Sequence, residues 1–288
     1  MIIRLSLTAC VQNECNSMKP SFIYFGTPDI AAETLQVLFE HGYTPKLIIT
    51  GPDRLAGRGM KMVQSDVKVW ADNHGIKTIQ PEKITNEVIH ELKEYNVDIF
   101  VVVAYGKILP ESLINIPKYG TLNIHYSLLP RWRGACPTEA AILSRDTVTG
   151  VTIQSMVYQL DAGDVMARTE TDILPDETTP QLRGRLSVLG SELLVDTLNN
   201  IEDQLQNKSP QNLEGITKCG KIKKIDGEVS KSDDMEEMYL KYRAYQPWPG
   251  IYYFDENGKR IKITEMKRVN GKPKITKFIP EGGKEICI

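Results

Sequence analysis

Over its first two hundred residues the chain alternates short apolar runs with longer stretches whose apolar positions recur every three or four residues. Residues 22–25, 46–49 and 76–79 read as strands. The run at 98–104, Asp-Ile-Phe-Val-Val-Val-Ala, is apolar almost throughout, which suits a central parallel strand covered on both faces. Residues 30–41 and 65–74 read as helices that stop at Gly42 and Gly75, and Thr85 or Asn86 can cap a third that runs to Tyr95. A further strand is predicted over 120–124. This rhythm predicts a doubly wound, mostly parallel α/β sheet. A long helix is predicted over Thr179–Asn199, with Thr179 as its N-cap and Pro180 at the first helical position. The chain then turns polar, and 205–216 is expected to be a linker between a domain of residues 18–204 and a module of residues 217–288. That module reads as a helix, Met235–Ala244, followed by short strands at Ile251–Phe254, 260–263 and 274–279.

Composition changes this picture little, and charge somewhat more. With 41% hydrophobic and 25% charged residues among 288, the chain is an ordinary globular sequence with enough apolar content for a sizeable core. No apolar run approaches the roughly 20 residues that span a bilayer. The net charge of −2 hides an asymmetry. From Lys221 onward there are 15 Lys/Arg against 11 Asp/Glu, and before it 20 against 26. A cationic module on a mildly acidic domain fits a polyanion partner, and a solvated lysine-rich face fits the counts equally well. The five cysteines are scattered and odd in number, which favours free thiols in a reducing cytoplasm over a disulfide framework or a zinc site. Residues 1–17 are expected to be a disordered extension.

The chemistry concentrates in residues 123–134, Asn-Ile-His-Tyr-Ser-Leu-Leu-Pro-Arg-Trp-Arg-Gly. On a strand, positions i and i+2 share a face, so Asn123 and His125 can address one reacting atom. Asp161, in Leu160-Asp161-Ala162-Gly163-Asp164, offers a carboxylate that folding can bring to the imidazole. A lone histidine near a strand end is more often a satisfied polar residue than a catalyst. Here Asn, His, Ser-Leu-Leu-Pro and the downstream Asp-x-Gly occur together and in order, and this set resembles the 10-formyltetrahydrofolate-dependent formyltransferases. Phe25-Gly26-Thr27-Pro28, the stretch from Pro52 to Gly59, Thr149-Gly150-Val151-Thr152-Ile153 and the stretch from Arg243 to Gly250 are similar, within that group, to the methionyl-tRNA formyltransferases. The resemblance extends over residues 19–285.

The resemblance implies a Rossmann-like formyltransferase domain with a small, shortened β-barrel-like module of OB type at its C-terminus. It implies 10-formyltetrahydrofolate as formyl donor, initiator Met-tRNA as acceptor, translation initiation as the role, and no metal, with a cytoplasmic monomer expected. Asn123, His125 and Asp161 are then the catalytic set, and Ser127, Leu128, Leu129 and Pro130 the folate-binding turn. Arg54, Arg58 and Lys61 lie among glycines in a stretch that reads as a flexible loop able to pair guanidinium and ammonium groups with tRNA phosphates. A dinucleotide enzyme is disfavoured, because Gly26-Thr27-Pro28-Asp29 lacks the Gly-x-Gly-x-x-Gly turn. A sugar-nucleotide or glycinamide-ribonucleotide N-formyltransferase would share the catalytic set without needing the basic loop. A tRNA-binding relative without activity would keep only the basic features. Two departures stand out: the short C-terminal module, and Tyr126 at a position usually held by a smaller residue, where it is expected to narrow the pocket.

Overall fold

The structure, a computed structural model, describes residues 19–56 and 60–288, so the expected N-terminal extension and Arg58 lie outside the described residues. Strands β1 (Phe22–Gly26), β2 (Leu47–Ile49), β3 (Arg54–Ala56), β4 (Lys61–Val63), β5 (Thr78–Ile79), β6 (Ile99–Val103), β7 (Thr121–His125), β8 (Arg133–Gly134), β9 (Val148–Ser155) and β10 (Val165–Asp172) precede the C-terminal module. They are interleaved with helices α1 (Asp29–Glu40), α2 (Asp66–Asn73), α3 (Asn86–Glu94), α4 (Glu111–Ile114), α5 (Pro137–Leu143), α6 (Thr179–Asn199) and α7 (Ile201–Asn207). Seven strands form one sheet in the order β10-β9-β7-β6-β1-β2-β5. The strands from β5 to β7 are parallel, as the sequence predicts; β9 and β10 add an antiparallel edge.

Strand alternation divides the core. Phe22, Tyr24, Val101, Leu122 and Ile124 face one layer with residues of α1 and α6, whereas Ile23, Phe25, Phe100 and Val102 face another with residues of α3 and α4. Cross-strand partners share a face, so Asn123 lies with its partner Val102 on the α3/α4 side. Local capping sets the helix starts. Ser65 Oγ accepts the Lys68 N–H at 3.1 Å at the start of α2. For α6 the cap is Thr178, one residue before the expected Thr179, because Gln181 Oε1 accepts the Thr178 N–H at 2.9 Å. The Thr179 hydroxyl is used elsewhere: it is buried and donates to the Ala244 carbonyl at 2.7 Å.

That bond crosses to the C-terminal module, which contains β11 (Lys218–Cys219), α8 (Met235–Ala244), β12 (Ile251–Phe254), β13 (Arg260–Val269), β14 (Lys272–Pro280) and β15 (Ile286–Cys287). β12 to β15 form a four-stranded antiparallel meander with α8 against it. β13 and β14 run longer than predicted because Asn270 and Gly271 both take positive φ, 52° and 77°, in a two-residue turn that keeps the strands paired up to Val269 and Lys272. Tyr239, Ala244, Ile251 and Ile263 join the same apolar cluster as α6, so the core is continuous from one domain to the other. The predicted linker is packed as well: α7 occupies 201–207, Ser209 bridges to Val165, and Gln211 is buried. No helix among the described residues is long and apolar enough to cross a membrane.

Gly190 is where α6 comes closest to the catalytic strands. A Cβ there would lie 3.1 Å from both Ile124 Cγ2 and Val151 Cγ1. Gly190→Val is expected to overpack this layer at a cost of about 1–3 kcal/mol. Urea denaturation checks it, and an unchanged midpoint would mean that α6 can lift off the sheet freely.

Candidate active site

β7, an interior strand between β6 and β9, ends in Asn123-Ile124-His125, and β9 lies antiparallel against it with Gln154 opposite Asn123 and Thr152 opposite His125. The Asn123 amide is fixed at both ends. Its Nδ2 donates to the Val102 carbonyl at 3.1 Å, and its Oδ1 accepts from Gln154 Nε2 at 3.1 Å. One hydrogen of that nitrogen remains uncommitted. His125 is buried, with Nε2 2.9 Å from the Trp132 carbonyl. A carbonyl can only accept, so Nε2 carries a hydrogen and Nδ1 is the working nitrogen. Nδ1 lies 3.6 Å from Asp161 Oδ1.

Asp161 reaches this point through a turn in which its own φ is +50°. Its Oδ1 accepts from Gln154 Nε2 at 2.9 Å and its Oδ2 from the Gly134 N–H at 2.8 Å. Glycine is required on both sides of this contact. A Cβ on Gly163 would stand 1.7 Å from the Ser155 carbonyl oxygen, and one on Gly134 would stand 1.9 Å from that of Cys219. The three residues singled out in the sequence therefore converge at the C-terminal end of β7. β6 ends nearby in a left-handed turn, with φ of +46° at Ala104 and +79° at Gly106 around the buried Tyr105. The Tyr105 hydroxyl has no partner among the described residues, and burial pushes its phenol up to about 12. The crevice beside β6 and β1 is the switch point of the sheet, where open α/β folds bind ligands.

Comparison with known proteins bears on what this constellation is. A family model described as formyl transferase matches residues 18–198, and one described as formyl transferase, C-terminal domain, matches residues 221–287. The methionyl-tRNA formyltransferase of Alcanivorax borkumensis is 42% identical over 248 residues, covering 85% of this chain and 75% of that protein. That of a Sulfurihydrogenibium species is 42% identical over 251 residues, covering 86% and 80%. The chain belongs to the methionyl-tRNA formyltransferase family. The crystal structure of an N-formyltransferase from Helicobacter canadensis in complex with folinic acid and dTDP-3-aminofucose shares the fold, with a TM-score of 0.63 and 18% identity over 93% of this chain and 98% of that one.

Within this family member, the turn at Ser127, Leu128, Leu129 and Pro130 is bonded largely to the protein itself. Ser127 Oγ donates to the Arg131 carbonyl at 2.5 Å, Thr152 Oγ1 donates to the Ser127 carbonyl at 2.7 Å, and the Leu129 N–H donates back to Thr152 Oγ1 at 3.1 Å. Tyr126 departs from expectation. Alternation turns it away from His125 into the layer under α6, so it does not narrow the pocket. On either side of residues 57–59 the expected loop forms a two-stranded ribbon: β3 pairs with β4, and Arg54 and Lys61 are exposed on it. Several basic residues of the C-terminal module are spent on carboxylates. Arg268 binds Glu236 at 2.8 Å and Asp176 at 2.9 Å, while Lys267 and Lys277 flank Glu265.

Sequence reasoning missed the groups that hold the site together. Arg133 is buried, and its Nε and one terminal nitrogen donate to Gln211 Oε1 at 3.0 and 2.7 Å. Gln211 Nε2 in turn donates to the carbonyls of Asp161 and Gly163 at 2.9 and 2.7 Å. A glutamine inside a polar, Pro-containing stretch carries no signal of this role. Gln211→Leu is expected to cost about 3 kcal/mol or more, since it strips a buried guanidinium and two buried carbonyls of partners. Thermal melting tests this, and a wild-type midpoint would show the segment to be dispensable.

Proposed function

We propose that this chain transfers the formyl group of 10-formyltetrahydrofolate to the α-amine of initiator Met-tRNA. The convergence of the Asn123 amide, the His125 imidazole and the Asp161 carboxylate at the end of β7 carries the reading. The neutral α-amine attacks the formyl carbon, forming the new C–N bond and turning the carbonyl oxygen into an oxyanion. The second N–H of Asn123 Nδ2 is free to donate to that oxyanion. His125 Nδ1 takes the proton that the amine loses, and Asp161 stabilises the resulting imidazolium. The C–N10 bond then breaks, and the departing folate nitrogen receives the proton. No covalent enzyme intermediate and no metal is needed for these steps. The donor is assigned to the crevice between the end of β6 and the turn at 127–130, where the half-buried Leu128 offers apolar surface and Leu129 is buried beneath the turn.

For the acceptor, exposed cations lie on two sides. Arg54 and Lys61 stand on the β3–β4 ribbon, with Arg58 between them in sequence, and Lys218, Lys221, Lys223 and Lys224 are exposed along the segment that starts at β11. β11 pairs with β8 through Lys218 and Arg133, so this lysine run begins one strand away from the Gly134 N–H that holds Asp161. A tRNA acceptor end has phosphates for both sets. A nucleotide-sugar acceptor would need far fewer.

Asn123→Ala and His125→Ala are each expected to lower single-turnover formylation by about 10²–10³-fold. Thermal melting should remain like wild type, and near-normal rates in both would remove these residues from the chemistry. Arg54→Ala, Lys61→Ala and Lys221→Ala are expected to weaken Met-tRNA use while sparing folate binding. Each should flatten the dependence of log Kd on log salt by roughly one unit for every phosphate that is no longer neutralised. Affinity and slope unchanged in all three would sink the proposed tRNA surfaces, and an amino-sugar nucleotide that outperforms Met-tRNA in the same assay would favour the sugar formyltransferase reading.

A further inference from the structure

Gln154 is 2% exposed, and its amide makes two bonds, both to site residues. Nε2 gives its hydrogens to Asn123 Oδ1 and to Asp161 Oδ1, at 3.1 and 2.9 Å. Its Oε1 is buried and has no donor among the described residues. Turning the amide over would set Oε1 against two other oxygens, so the observed orientation is the only one that the neighbours accept. A buried acceptor without a partner is a cost that folding alone gives no reason to keep.

We propose that Gln154 is a positioning residue for formyl transfer, holding the Asn123 amide nitrogen toward the substrate and keeping Asp161 beside, but not bonded to, the imidazole. This rests on the formyl-transfer reading above. Asn123 is gripped by Gln154 at its oxygen and by the Val102 carbonyl at its nitrogen, which leaves the remaining N–H one direction to point. Asp161 is gripped by Gln154 at Oδ1 and by the Gly134 N–H at Oδ2. The gap of 3.6 Å between Oδ1 and His125 Nδ1 exceeds a direct hydrogen bond. Gln154 therefore takes the bond that a protonated imidazole would otherwise make, and Nδ1 stays open for the proton of the amine while the negative charge remains close. Without Gln154, Oδ1 is free to close onto Nδ1 by holding a proton there, which occupies the base before the amine arrives.

Two substitutions of similar size separate this role from packing. Gln154→Met keeps the volume and removes the orphaned oxygen but also takes the donor from Asn123 Oδ1 and Asp161 Oδ1, so it should melt cooperatively within a few degrees of wild type. Its kcat should fall about 10- to 100-fold, with KM for Met-tRNA and for the formyl donor unchanged, because Gln154 is buried behind Asn123 and Asp161. Gln154→Glu replaces the donating nitrogen with oxygen and should fall further still. Combining Gln154→Met with Asp161→Asn should lose less than the two single losses multiplied together, because the part of the effect that runs through Asp161 is already gone and only the release of Asn123 remains. A Met variant within twofold of wild-type kcat, an active Glu variant, or additive losses in the double mutant would each overturn the proposal. A crystal structure of the Met variant reads the geometry without turnover: Asp161 Oδ1 should close to direct hydrogen-bond distance of Nδ1. Asp161 and Asn123 unmoved there would also overturn it, whereas wild-type protein that fails to formylate Met-tRNA would overturn only the functional reading on which it rests.

Discussion

The antiparallel pairing of β9 against β7 is the constraint on which the site depends. It sets Gln154 opposite Asn123 and Thr152 opposite His125. Thr152 then ties down the turn at 127–130 by accepting one bond and donating another. A slip of one residue would send Gln154 and Thr152 to the other face and leave the apolar Ile153 against the catalytic row. The register is protected by the opposite face of the same strands, where Ile124, Val151 and Ile153 are packed under α6. Core packing on one side of the sheet thus fixes hydrogen bonding on the other.

Much of the machinery that holds the site is main chain. The Trp132 carbonyl sets the tautomer of His125, the Gly134 N–H holds Asp161, and the Val102 carbonyl orients Asn123. Backbone partners need close approach, which is why Gly134 and Gly163 sit where any Cβ would meet a carbonyl oxygen. They also bring the C-terminal module into the site. The Thr217 carbonyl accepts the Arg133 N–H at 2.9 Å, and β11 lies alongside β8, so the segment carrying Asp161's donor is held from both domains.

This explains what could be read from the sequence and what could not. The parallel strands, the helices with Gly stops and the pair Asn123/His125 depend on neighbours within a few residues, and the periodicity displays them directly. Asp161 lies 36 positions beyond His125. No local pattern links the two, and only the family's spacing marked it. Gln154 and Gln211 were illegible, since one depends on a long-range strand pairing and the other on a packed segment that composition makes look like a tether. Tyr126 was misjudged because adjacency to His125 suggested a shared pocket, whereas alternation in an extended chain sends neighbours to opposite faces. In the Arg54–Val63 stretch, three cross-strand pairs, from Arg54 with Val63 to Ala56 with Lys61, join the described residues on either side of 57–59, a pairing that the glycines did not announce.

The distribution of charge follows a similar division. Arg268, Lys267 and Lys277 were part of the positive excess counted in the C-terminal module, but each faces a carboxylate, and Arg268 lies over the Tyr239 ring, 5.1 Å from its centroid. Arg268 bridges Asp176 of the catalytic domain and Glu236 of α8, so it serves the contact between domains. Exposed Arg131 and Lys208 face Asp146 and Asp164, whereas exposed cations with no carboxylate partner among the described residues stand on the β3–β4 ribbon and along the segment from Lys218 to Lys224. Screening confines their reach to about 8–10 Å at ordinary ionic strength, so what matters for a polyanion is where they stand and not the net charge of −2. The exposed lysines from Lys218 to Lys224 precede the β meander altogether, so the phosphate contacts proposed for them do not depend on how many strands that meander has.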